Sequence, residues 1–88
     1  MCTYETELLS VRASAKGPQG WFAATEATVY FDHPIHLPAG HALMVDVRSP
    51  ERGAGARVGL EFDAASARAL AEAILRMLDS TPAELLVD

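Results

Sequence analysis

The sequence predicts an α+β fold, a four-stranded antiparallel β-meander with one C-terminal α-helix packed on one face. Three observations carry that prediction. Up to about residue 62 the chain favours extended structure, broken by two turn-forming stretches, Lys16-Gly-Pro-Gln-Gly20 and Ser49-Pro-Glu-Arg-Gly-Ala-Gly55, and by one proline-bearing connection over 33–41. Beyond Asp63 the apolar residues switch to helical spacing. The 88 residues leave room for one domain, 1–88, with a modest core and a large share of its surface in water, a shortage that a homodimer would relieve.

The first strand is expected over about 3–15, and the turn at Pro18 folds it back on a second strand over 21–32, which holds the β-favouring run Thr28-Val-Tyr-Phe31. A third strand over 42–48 alternates cleanly, Leu43, Val45 and Val47 on one face and Met44, Asp46 and Arg48 on the other. In the fourth, over 56–62, Val58, Leu60 and Phe62 share a face and Arg57, Gly59 and Glu61 share its opposite. Asp63 has the short carboxylate of an N-cap, which can accept from the free amides of a first helical turn. The helix should run over 64–79, burying a stripe of Ala67, Leu70, Ala71, Ile74, Met77 and Leu78, with Arg68, Glu72 and Arg76 at i, i+4 spacing outside it. The tail over 82–88 is too apolar for a solvated terminus. Trp21-Phe22 reads as core or as a dimer contact.

Composition excludes several classes of function. Acidic residues outnumber basic ones by 12 to 7 and Lys16 is the single lysine, so no patch gathers the positive charge that phosphate backbones require. Nucleic acid is not an expected partner. No apolar run approaches the roughly 20 residues of a membrane span, and the first residues lack the pattern of a signal peptide, so a cytoplasmic protein is expected. One cysteine, Cys2, cannot form an internal disulfide.

Chemistry concentrates in the connection His33-Pro-Ile-His36-Leu-Pro-Ala-Gly-His41, which holds all three histidines. Three neutral imidazoles converging on one cation suit zinc or another divalent transition metal. If the hairpin folds about Leu37, paired residue numbers total about 74, and His33 lies opposite His41 on the face of Phe31 and Leu43. His36 would then fold back as a third ligand. A turn at Pro18 gives pairing totals of about 36 or 37 and brings Cys2 beside the same loop as a fourth ligand, with Asp32 or Tyr4 orienting an imidazole. The spacing matches no zinc-finger or metalloprotease signature, and histidines also serve simply as polar loop residues. The polar face, with Glu26, Tyr30, Asp32, Asp46, Arg48, Arg57 and Glu61, reads as ordinary cross-strand charge pairing, Glu26 opposite Arg48.

Met1-Cys-Thr-Tyr-Glu-Thr6, Lys16-Gly-Pro-Gln-Gly-Trp-Phe22 and Ala27-Thr-Val-Tyr-Phe-Asp-His-Pro34 with His36 resemble a group of short actinobacterial proteins of unknown function. That resemblance implies no activity, ligand or catalytic residue. Two functions are therefore expected from the residues: a small metal-binding protein using His33, His36, His41 and Cys2, catalytic if a coordination position stays open, or a metal-free homodimeric module that binds a small organic ligand or a biosynthetic enzyme partner.

Overall fold

A computed structural model describes residues 5–87. It contains one antiparallel sheet with strands in chain order, β1 (Thr6–Gly17), β2 (Gly20–Asp32), β3 (Ala42–Arg48) and β4 (Arg57–Phe62), followed by the helix α1 (Ala64–Asp79). Short 3-10 turns occupy Pro50–Arg52 and Ala83–Leu85. The fold is therefore the meander with a C-terminal helix that alternation and periodicity imply, and the helix rests on the β3–β4 side of the sheet. The start proposed for the first strand at residue 3, and with it Cys2 and Tyr4, lies outside the described residues.

Both hairpin registers follow from their turns. Pro18 and Gln19 form a tight connection, with Gly17 paired to Gly20, and Gly20 takes φ 110°, a left-handed value that glycine adopts without a Cβ clash. From Ala13 to Gly17 the β1–β2 pairs total 37; from Thr6 to Ser10 they total 36, because a β-bulge between Ser10 and Ala13 inserts one extra β1 residue. The two alternatives read from the sequence are thus both used, one on either side of the bulge. Strands β2 and β3 pair at a total of 74, from Glu26 opposite Arg48 to Asp32 opposite Ala42.

The described core is small. Phe22, Ala24 and Ala56 form its centre, with Ala15, Val47 and Val58 packed around them, so the overhanging β1–β2 end closes onto the β3–β4 connection. Gly17 permits that closure, since a Cβ there would lie 3.3 Å from the Phe22 ring and 3.5 Å from the Gly55 carbonyl. The Trp21-Phe22 step divides accordingly: Phe22 is core and Trp21 is 69% exposed.

The helix departs from expectation. Asp63 caps it, its carboxylate accepting from the Ser66 amide at 2.8 Å, and Ser80 ends it by donating its amide to the Arg76 carbonyl at 3.0 Å. The anticipated stripe has the right spacing, yet no residue of α1 is buried and Ala67 alone is partly covered. The physical reason is positional. Asp63 is the single residue between β4 and α1, so the helix meets the sheet at its first turns, and the small Ala64, Ala67 and Ala71, with Leu75, point at the sheet in place of the large side chains.

Candidate functional site

The 33–41 connection is not a loose loop. His33 extends β2 on the Phe31 face and His41 precedes β3 on the Leu43 face, and the paired strands bring the two imidazoles together with ring centroids 4.5 Å apart and planes inclined by 32°. Phe31 stacks on His41 at 5.8 Å with the rings nearly parallel. The Nδ1 of His33 lies 3.0 Å from the Gly40 carbonyl oxygen. A carbonyl only accepts, so Nδ1 carries the proton in that hydrogen bond, and in the neutral ring Nε2 keeps its lone pair for a ligand. The His33 amide donates to Asp32 Oδ1 at 2.7 Å, which fixes the backbone as it leaves the strand.

His36 goes elsewhere. Its amide donates to Glu61 Oε1 at 3.0 Å, and the flanking amides of Ile35 and Leu37 donate to the same carboxylate, each at 2.7 Å. Glu61 pairs with Met44 in the register, on the face opposite Leu60 and Phe62. The tip of the connection therefore bends over the face that carries Met44, while the rings of His33 and His41 remain with Phe31. Ala42 and Met44, expected on the more polar side of β3, are accordingly among the most buried residues. Among the described residues no three His, Cys, Asp or Glu side chains stand together as a metal-binding group. Cys2, the fourth ligand expected from the sequence, lies outside the described residues.

Glu61 corrects the reading of the polar face as cross-strand pairs alone. Three converging N–H groups stabilise its charged form, the Ile35 amide most, then that of Leu37, and hold its carboxyl below the ordinary range. Its neighbours do pair across strands. Arg57 donates from Nε and Nη2 to the two oxygens of Asp46 at 2.9 and 2.8 Å, and Arg48 meets Glu26 at 3.0 Å. Gly59, paired with Asp46, makes the first geometry possible, because a Cβ there would sit 2.9 Å from Asp46 Oδ1. Burial raises the Tyr30 pKa, and the nearby Asp46 charge raises it further. The hydrogen bond to Asp46 likewise raises Arg57.

Sequence reasoning missed a cleft of about 580 Å³ between the sheet and α1. Val29, Phe31 and Leu43 form its floor; Ala67, Ala71 and Leu75 form its helical wall, and Arg68 and Glu72 are the charged residues that line it. Alternation marked the floor residues as one apolar face, but the helix side turned toward them could not be read from spacing alone. Phe31 joins the two features, lining the cleft while stacking on His41.

Fold and site together define a small meander protein whose single helix leaves an apolar cleft against the sheet, with an imidazole pair beside it. The chain belongs to a family of unknown function, DUF6295, whose match spans residues 1–87. Searches among curated proteins and among solved structures each returned no match. No helix of the described residues is long and apolar enough to cross a membrane.

Proposed function

We propose that the chain is a binding module that takes a small, largely apolar organic molecule into the cleft between α1 and the sheet. The observation that carries this reading is the cleft itself. Its volume of about 580 Å³ falls within the roughly 300–1,000 Å³ of small-molecule sites, and its apolar floor with a few charged groups is the usual make-up of such a site. The molecule would lie on Val29, Phe31 and Leu43, with Arg68 and Glu72 placed to meet its polar groups. An anilinonaphthalene sulfonate dye, apolar with one anionic group, is a direct probe. Saturable binding of about one dye per chain, lost when Ala71→Trp fills the cleft without changing the circular dichroism, supports the reading; unsaturable binding, or binding unchanged by Ala71→Trp, refutes it.

A second reading rests on the imidazole pair, which offers His33 Nε2 and His41 to zinc or another divalent transition metal. In this reading His36 or Cys2 completes the ligand set. Near-stoichiometric metal in protein purified without chelator or affinity tag, abolished by His33→Ala or His41→Ala, would establish it. A melting temperature indifferent to zinc, copper, nickel and iron would dismiss it.

A further inference from the structure

The search for further sites converges on the outer side of α1. Leu70, Ile74, Met77 and Leu78 recur at i, i+4, i+7 and i+8, the spacing of a stripe made to be covered. In the structure Ile74 is 52% exposed, Met77 69% and Leu78 50%. Ala73, Ile74, Met77 and Leu78 bound a depression of about 360 Å³ lined by apolar side chains alone. With 3.6 residues per turn, this side lies about 100° round the helix from the side that lines the cleft, so the two can be occupied at once.

We propose that this side of α1 is the contact with a second copy of the same chain. The area is the first argument. A folded monomer of 9.4 kDa exposes about 5,000 Å², whereas this chain exposes 6747 Å², an excess of about 1,700 Å². Counted from both copies, that excess falls in the 2,000–5,000 Å² range of obligate homodimers. Size agrees: the radius of gyration is 14.6 Å, against about 12 Å for a compact chain of 88 residues. Among the described residues no large side chain is completely buried, so the occupant is needed for the fold itself, and a second copy is present whenever the chain is made.

Charge selects the same occupant. The chain carries a net charge of −5, but α1 is balanced, Arg68 and Arg76 against Glu72 and Asp79. Two such helices can approach without a like-charge penalty, and a surface bearing both signs can complement itself about a two-fold axis.

Light scattering across micromolar concentrations tests the proposal on the full chain, with about twice the 9.4 kDa monomer mass expected. The double variant Ile74→Glu, Leu78→Glu should weaken association on the order of a hundredfold, the factor that corresponds to losing two buried aliphatic side chains. Because that variant can also unfold, a photo-crosslinking amino acid at Met77 supplies the independent reading, and it should join the helices of two copies. A wild-type monomer at all concentrations overturns the proposal. So does a dimer that survives the double variant and gives no crosslink from position 77, or a crosslink from that position to a different protein.

Discussion

The 33–41 connection and the helix α1 invert the usual relation between regularity and anchorage. The connection has no repeating structure, yet one carboxylate gathers three successive amides, a ring nitrogen meets a carbonyl, and two imidazoles and a phenyl ring lie face to face. The helix is regular over its 16 residues and capped by Asp63, but it touches the sheet through its first turns and none of its side chains is buried. Local hydrogen bonding makes a helix; only burial of apolar area holds it in place. The connection reaches its tertiary anchor within one chain, and the helix does not.

The largest effect should come from the small core that both regions depend on. Phe22→Ala removes the ring packed between Ala24 and Ala56 and should cost about 3–5 kcal/mol in denaturant unfolding, enough to unfold a marginal domain. Trp21→Ala, at the exposed neighbour, should change stability by about 0.5 kcal/mol or less. Equal costs at the two positions would mean that Trp21 is covered in solution and would reassign the core.

Acid should separate the two regions next. The Glu61 pKa is depressed, so the stabilisation its carboxylate gives is complete above the value in the unfolded chain, about 4.3, and is lost as pH falls through the lower folded value. Amide exchange at Ile35, His36 and Leu37 should therefore accelerate in that acid window, and Glu61→Ala should release the same three amides at neutral pH by about tenfold or more. The Asp63 pKa is depressed in the same direction, so the Ser66 amide loses its partner over a similar window. Protection at 35–37 that persists in Glu61→Ala would show the connection to be held by something other than this carboxylate.

These anchors mark the limit of what the sequence discloses. Strand pairing was legible because tight turns and face parity restrict the register: totals of 74 for β2–β3 and of 36 and 37 for β1–β2 follow from where Leu37 and Pro18 sit. The juxtaposition of His33 and His41 follows from the same arithmetic. Glu61 was not legible, because a carboxylate that caps amides 24 to 26 residues away leaves no local pattern and looks like any charge on a solvated face. The helical stripe was legible as periodicity, which reports that a face exists but not what it meets. His36 illustrates the same limit: its spacing from His33 and His41 cannot show that its amide is bound across the sheet from their rings.

A smaller effect separates Asp46 from the connection. Asp46→Asn should cost about 1 kcal/mol or less, since Arg57 is more than half exposed and solvent screens the pair. The sharper readout is Tyr30, whose pKa should fall toward its ordinary value once the neighbouring negative charge is gone, while burial still keeps it raised. A Tyr30 titration that does not move, followed by phenolate absorbance, would place Asp46 away from the phenol in solution.

The smallest expected effect tests whether a shared register implies shared energetics. Glu26 and Arg48 are directly opposed in the β2–β3 ladder, and Asp46 with Arg57 is the corresponding pair on the next ladder, one position off direct opposition and reaching across Gly59. The geometries differ in a way that decides their weight. Asp46 offers both oxygens to one guanidinium and is the least exposed of the four side chains, whereas Arg48 reaches a single oxygen of Glu26 and stands half exposed. Bidentate pairing fixes both partners in one arrangement, but a single contact in solvent leaves each side chain its rotamers and its water. Glu26→Gln should therefore change unfolding free energy by about 0.5 kcal/mol or less, and added salt should erase even that difference while leaving part of the Asp46→Asn cost. If denaturant curves in low and high salt show Glu26→Gln to be as costly as Asp46→Asn, then Glu26 is shielded from solvent in the folded protein, and the edge of the sheet it occupies is covered by something other than this chain alone.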